Sequence, residues 1–238
     1  MDSNLKNYLE YTKKPWGKLF YKVVFQQLNK VKGFKVLDFG SGFGITAEHL
    51  AKNNEVVAIE PNSEMVRKTF CKSRYNQIIG GLQELRKFKD ASFDVVLCHN
   101  VFEYAKDREE IFREFLRVIK KDGIISIIKH NHAGRIMQKV VFENNIEEAI
   151  KLLDGGNINS INLGQVAYYN LEDIKKWGEG FDFNVEKIIG IRTFWGLQNN
   201  EIKEEPSWQD KMFQIEMKVS DIKEYVDISF FNHVILRK

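Results

Sequence analysis

One stretch constrains this chain more than any other: FKVLDFGSGFGITAEHLAKNNEVVAIEP, residues 34–61. It opens with a short apolar run closed by Asp38, and Gly40, Gly42 and Gly44 follow at alternate positions. Residues 45–52 fit a helix, with Ile45, His49 and Leu50 near one face. Val56, Val57, Ala58 and Ile59 make a buried-strand run that ends on Glu60. Strand, glycine turn, helix and strand form one βαβ half of a nucleotide-binding sheet. Glycine tolerates positive φ and lets backbone approach a ligand. An acid about 20 residues past the first turn sits where a ribose would lie. The spacing is GxGxG rather than GxGxxG, so the turn does not match a pyrophosphate resting on a helix N-terminus.

The rest of the chain repeats the α/β alternation. Residues 1–11 read as a partly solvated helix, followed by a basic turn. Residues 19–31 form an amphipathic helix on Leu19, Phe20, Val23, Val24, Gln27, Leu28 and Val31. Past Glu60, Ser63 can cap a helix over 64–72, and 77–80 is a short third strand. Residues 81–84 read as a loop and 93–98 as the fourth strand. A helix over 107–119 is expected to close on Gly123 in a left-handed turn. The fifth strand, 124–128, is almost unbroken apolar sequence, as a strand covered on both faces should be. Residues 135–153 are mostly helical. Asn170 can cap a helix over 171–177, and 185–191 is the sixth strand. A helix over 207–222 places Trp208, Met212, Ile215 and Val219 toward the core, and 228–236 is the last strand.

Composition sets outer limits. With 238 residues and 43% hydrophobic content, the chain is long enough for a full core. We expect one domain over 1–238, with a helical N-terminal cap at 1–32 and a substrate-side insertion at 131–169. The expected location is the cytoplasm: the polar N-terminus lacks the apolar core of a signal peptide, and no apolar run is long enough to span a bilayer. Cys71 and Cys98 match no metal spacing, so free thiols and no metal are expected. A net charge of +3 leans only mildly toward an anionic partner.

The run Val36-Leu37-Asp38-Phe39-Gly40-Ser41-Gly42-Phe43-Gly44 resembles the first motif of class I S-adenosylmethionine-dependent methyltransferases. That resemblance implies a Rossmann-like α/β fold: a seven-stranded, mostly parallel sheet with helices on both faces and an antiparallel last strand beside the fifth. It implies S-adenosylmethionine as cofactor, bound by Asp38, Gly40, Ser41, Gly42, Gly44, Glu60, Pro61, Met65, Leu82, Gln83 and His99. The family often has an acid where this chain has Leu82 and Gln83. Shorter matches resemble the bacterial tRNA methyltransferases that esterify carboxymethoxyuridine at the wobble position. They are Thr12-Lys13-Lys14 with Gly17, Phe102-Glu103-Tyr104, Asn131-His132-Ala133-Gly134, residues 190–194, and the closing Phe231 to Lys238 run. The first helix departs from them, carrying Leu19-Phe20-Tyr21 where a basic residue is usual.

Ligands of open α/β sheets bind at the carboxyl ends of the strands. The polar residues there are therefore the candidates for catalysis: His99, Asn131 and His132. Tyr104, Asn131, His132 and Arg192 are candidates for binding the substrate. A carboxylate acceptor is already ionised and needs only donors, whereas a hydroxyl or amine acceptor would use His99 or His132 as a base. Each has a plainer role open to it. His99 can simply line the cofactor, Asn131 and His132 can satisfy backbone, and Arg192 can form an ion pair. Glu103 could recognise substrate or serve as an acid at a helix N-terminus. Lys13, Lys14, Lys18 and Lys22 could meet phosphates of tRNA or form a solvated face. The alternatives to the tRNA reading are a small-molecule O- or N-methyltransferase with 131–169 as a lid, and a non-catalytic cofactor-binding protein.

Overall fold

The computed structural model describes residues 3–68, 75–156, 159–160 and 164–238. Cys71 and the far end of the expected helix 64–72 lie outside the described residues. The main sheet has seven strands: β1 (Lys35–Phe39), β2 (Glu55–Glu60), β3 (Asn76–Ile79), β4 (Phe93–His99), β5 (Ile119–His130), β6 (Asn184–Ile191) and β7 (Phe231–Arg237). Their spatial order is β3-β2-β1-β4-β5-β7-β6. β1 pairs in parallel with both β2 and β4, placing Leu37 opposite Val57 on one side and Val96 on the other. Val36 and Leu37 are wholly buried, as a central parallel strand requires. The order reverses between β1 and β4, which makes their carboxyl ends the natural ligand edge. β7 runs antiparallel: Asp122 N–H donates to Lys238 O, whereas Asn131 N–H donates to Phe230 O.

Helices α1 (Ser3–Lys13) and α2 (Pro15–Gln27) precede the sheet. α2 starts and stops four residues before the expected 19–31. Pro15 loses nothing as a first helical residue, where its missing N–H would be unpaired anyway. α3 (Ile45–Leu50), α4 (Ser63–Arg67) and α5 (Leu82–Leu85) follow; α5 is a helical turn where a loop was expected. Asn62, rather than Ser63, caps α4, accepting from Glu64 and Met65 N–H.

α6 (Arg108–Val118) runs straight into β5. Asp122, not Gly123, takes the left-handed conformation, with φ 63°. Gly123 is required for space instead, because a Cβ there would sit 2.9 Å from Lys120 O.

The insertion contains α7 (His132–Met137), a π-helical turn (Gln138–Phe142) and α8 (Ile146–Leu153). α9 (Leu171–Trp177) has the expected Asn170 cap, completed by the side chain of Asp173 into a capping box. α10 (Pro206–Val219) buries Glu216 and Val219 but leaves Ile215 43% exposed, against expectation. The short α11 (Lys223–Val226) leads to β7.

The chain packs as two compact units. The first comprises Met1–Gln27, Lys129–Tyr168 and Ile188–His233; the second comprises Leu28–Ile128, Tyr169–Lys187 and Val234–Lys238. In the second unit an aromatic cluster of Phe102, Phe112, Phe115, Tyr169 and Trp177 backs the sheet. In the first, Gln27 ties α2 down: its Nε2 donates to Gly190 O at 3.1 Å and its Oε1 accepts from His233 at 2.8 Å. No described helix is long and apolar enough to cross a membrane.

Candidate functional site

The second unit holds the glycine turn. Gly40, Gly42 and Gly44 all have positive φ, at 76°, 57° and 73°. Gly40 N–H and Ser41 N–H both donate to Ile59 O, folding the turn over the end of β2. The buried Glu60 carboxylate holds the turn from below. Its Oε2 accepts from Gly42 N–H and its Oε1 from Asn62 N–H, each at 2.8 Å. Burial raises the Glu60 pKa, and these two N–H groups oppose the rise.

Asp38 lies wholly buried at the end of β1, where its carboxylate accepts from Ala47 N–H at the start of α3. Burial, with the Glu60 charge nearby, pushes its pKa up to about 7. Its Oδ2 has no hydrogen-bond partner.

The neighbouring loop follows β4. His99 Nε2 lies 2.9 Å from Ser126 Oγ, which fixes the ring. Asn100 adopts the left-handed conformation with φ 56°, and its buried Oδ1 has no partner. The sequence reading passed over Asn100. Its signal was an asparagine, tolerant of positive φ, directly after a ligand-edge strand. Gln77 was also missed: the second residue of β3, it donates to Ala58 O and Ile78 O and reaches Ser41 Oγ at 3.5 Å.

Met65 is buried, Leu82 half-buried, and Pro61 and Gln83 are exposed. Tyr104 is half-buried in the turn that follows Asn100. Glu103 is buried beside Tyr169 and Cys98, five residues before α6 begins, so it is not an acid of that helix N-terminus.

The first unit holds the other candidates. Asn131 Nδ2 donates to Asp227 O and Ser229 O, at 2.9 and 2.8 Å, so its amide hydrogens anchor backbone. His132 opens α7. Its Nε2 lies 3.0 Å from Leu152 O, which can only accept, so the proton sits on Nε2 and a base would have to act through Nδ1.

Arg192 takes a left-handed backbone conformation with φ 64° and is buried. Its guanidinium lies 4.5 Å from the Trp195 ring centroid and 4.7 Å from that of Phe230. It pairs with Tyr11, and its Nε has no hydrogen-bond partner. Buried Glu216 supports this turn, accepting from the N–H groups of Thr193, Phe194 and Trp195 at 2.7–2.9 Å. Of the lysines on α1 and α2, Lys13 pairs with Glu10 and Lys22 with Asp210, and Lys14 and Lys18 are exposed. Among the described residues no cluster of His, Cys, Asp or Glu could hold a metal ion.

A family model described as a methyltransferase domain matches residues 37–127, the stretch from β1 through most of β5. Over those residues the chain is similar to methyltransferase domains.

Among curated relatives, the sterol 24-C-methyltransferase erg6 of Aspergillus fumigatus is 25% identical over 171 residues, covering 65% of this chain and 45% of that protein. The chain thus spans less than half of that relative. The tRNA 5-carboxymethoxyuridine methyltransferase of Escherichia coli is 18% identical over 246 residues, covering 93% of this chain and 89% of that enzyme. A Haloferax volcanii protein, solved in complex with the Trm112 methyltransferase activator, shares the fold. Its TM-score is 0.63 at 15% identity, with 100% of this chain and 98% of that one covered.

The second unit fits the chemistry of S-adenosylmethionine, the cofactor that the glycine-turn resemblance implies. S-adenosylmethionine is cationic at its methionine end and carries ribose hydroxyls. Asp38 Oδ2 and Asn100 Oδ1 are buried acceptors with no donor, an arrangement that is costly unless a ligand supplies one. Glu60 spends one lone pair of each oxygen on backbone N–H and keeps others for hydroxyl donors.

Proposed function

We propose that the methyltransferase esterifies the carboxylate of a carboxymethoxyuridine at the wobble position of tRNA. The observation that carries this reading is Arg192: a buried guanidinium with an unpartnered Nε, held in a strained turn by Glu216. Strain of this kind persists where the surroundings over-determine it, and it clusters at functional sites. A buried guanidinium suits a planar anion. The Escherichia coli tRNA enzyme supports the reading because its match runs along almost the whole of both chains.

Each group has a part in the scheme. Bound S-adenosylmethionine supplies an electrophilic methyl on sulfur. Glu60 accepts from the ribose hydroxyls, and Asp38 and Asn100 accept from the ammonium group. Backbone of Gly40, Ser41, Gly42 and Gly44 passes close to the cofactor, and Pro61, Met65, Leu82 and Gln83 border the adenine. Arg192 takes the acceptor carboxylate. Because that carboxylate is ionised at neutral pH, no base is needed. His99 then serves as a fixed wall, held by Ser126, and Asn131 and His132 hold the backbone around the acceptor. Alignment of the acceptor oxygen supplies much of the rate. Exposed Lys14 and Lys18 are available for phosphates of the anticodon arm.

A second reading, a small-molecule methyltransferase with the insertion as a lid, is favoured by a different observation. Val140, Val141, Ile146, Ile150 and Leu153 of the insertion are all at least 40% exposed, an apolar face suited to closing over a ligand.

Mass spectrometry of tRNA nucleosides from a strain lacking the gene separates the two. The first reading expects free carboxymethoxyuridine to accumulate and its methyl ester to vanish. An unchanged nucleoside profile overturns it.

A further inference from the structure

The first unit buries more positive charge than its acids neutralise. Arg135 and Arg192 both lie over the ring of Phe230, at 5.5 and 4.7 Å from its centroid. Arg192 and Lys203 both lie over Trp195, at 4.5 and 4.6 Å. Lys203 also sits 4.5 Å from the Phe142 ring. The three cations and the rings between them form one continuous row.

Arg192 and Lys203 are almost fully buried, and Arg135 is half-buried, so Arg135 gives the row its opening to solvent. Among the described residues, no carboxylate forms an ion pair with any of the three. Arg135 donates to Gln138 Oε1 and Lys203 to Asn200 Oδ1, both neutral. The buried acid in this cluster is Glu216, and three backbone N–H groups occupy its oxygens.

The cations repel one another. Desolvation, then the Arg192 charge, bring the Lys203 pKa down to about 8. Burial lowers the Arg192 pKa most; Tyr11 and then Glu216 oppose the fall, and Arg135 adds a smaller lowering. Aromatic faces return part of the cost of burying each cation. That does not account for collecting three charges in one place, since an apolar side chain would fill the same volume without the desolvation cost.

We propose that Arg135, Arg192 and Lys203 form one anion site, and that its ligand is the carboxylate of the methyl acceptor. This deepens the proposed function and rests on its carboxylate acceptor. Arg135 and Arg192, which share the Phe230 ring, contact the anion. Lys203 backs Trp195 and acts as a positioning charge. The site therefore selects acceptors by charge: a neutral amide or ester of the same shape brings no anion to the row. It also favours release, because the methyl ester product has lost the charge that held it.

Phenoxyacetate, an aryl ether carboxylate, and its neutral amide, phenoxyacetamide, are the probes. Binding to the full-length protein is followed by calorimetry, with no methyl transfer involved. Phenoxyacetate should bind at least tenfold more tightly than phenoxyacetamide. Arg135→Met should weaken it at least tenfold, and Arg135→Lys less so. Its affinity should fall as pH rises above about 8, where Lys203 loses its proton, and Lys203→Arg should abolish that fall. Circular dichroism of each variant confirms folding. Equal binding of the two probes, or a Lys203→Arg pH profile identical to the wild type, overturns the site. Preferential carboxylate binding that Arg135→Met abolishes, together with an unchanged tRNA nucleoside profile in the deletion strain, keeps the site and rejects tRNA as its source. Methylated tRNA with an Arg135→Met variant unaltered in acceptor KM keeps the function and rejects the site.

Discussion

Glu60 Oε2 accepts a hydrogen bond from the N–H of Gly42 at 2.8 Å. The acid that ends β2 therefore shapes the glycine turn, and the group proposed to bind the ribose and the turn are one device. The other oxygen of Glu60 fixes Asn62, the cap of α4, in the same way.

Glu60→Ala removes the acceptor for two backbone N–H groups and, in the proposed scheme, for the ribose. Hydrogen bonds to charged groups contribute about 1.5–3 kcal/mol each. Cofactor affinity should drop at least a hundredfold by calorimetry, with a lower thermal midpoint. Glu60→Gln keeps one carbonyl oxygen and should lose less of both. Unchanged affinity in the alanine variant would show that the ribose is bound elsewhere.

Asp38 gives cofactor binding a pH dependence. Its carboxyl is held up to about 7 by burial and by the charge of Glu60, so below that pH the folded protein carries a proton there that the unfolded chain would release near the ordinary aspartate value of 3.8. A cationic cofactor favours the ionised form, so binding should expel this proton. Affinity should rise with pH by up to tenfold per unit below about 7 and level off above it. Calorimetry in buffers of different ionisation enthalpy should detect proton release at pH 6. Asp38→Asn should bind weakly and without this slope.

Gly40 and Gly42 separate two reasons for glycine. A Cβ on Gly40 would lie 2.3 Å from Val101 Cγ2, whereas a Cβ on Gly42 would have no atom within 4 Å. Gly42→Ala therefore costs only the left-handed backbone, about 1–2 kcal/mol. Gly40→Ala adds a clash with the loop after β4. Thermal unfolding should show the larger loss for Gly40→Ala, and adding Val101→Ala should recover part of it. Equal losses, with no recovery, would place the cost in φ alone.

The sequence made the second unit far more legible than the first. Residues 34–61 carry a local signal at every level: buried strand runs, alternating glycines and a terminal acid. β1, α3 and β2 fall there almost residue for residue. The boundaries that moved did so for local reasons that pattern alone does not carry: Pro15 starts α2 early, and Asp122 rather than Gly123 turns the chain into β5. In the first unit the informative groups are far apart in sequence. Lys203, Glu216 and Arg135 look like ordinary surface charges in a chain that is 29% charged, and α10 reads as burying Ile215. Only the tertiary fold brings Glu216 under the 193–195 turn and rotates Ile215 outward. Arg192 was legible as a candidate; the aromatic row around it was not. Asn131 and His132 lay where expected, but their polar atoms are engaged with backbone carbonyls.

The first unit also carries an acid-labile pair of histidines. His233 is wholly buried. Gln27 Nε2 is committed to Gly190 O, which leaves Oε1 to face the ring, so His233 Nδ1 is the donor in that bond. Desolvation brings its pKa down to about 3. His130 is also brought to about 3, by burial first and then by the Arg135, Arg192 and Lys129 charges. In the unfolded chain both titrate near 6.5, so between about pH 3 and 6.5 the unfolded state binds more protons and stability rises with pH. The stabilisation is complete above 6.5 and lost as pH falls through that window. Asp38, with its raised folded pKa, has the opposite sign, so the net slope alone does not identify the histidines. Comparison with His233→Asn does, because the asparagine can still donate to Gln27 but cannot be protonated. Urea midpoints at pH 7 and pH 4.5 should differ less in the variant than in the wild type. An equal acid shift in both proteins would remove His233 from the cause of acid unfolding.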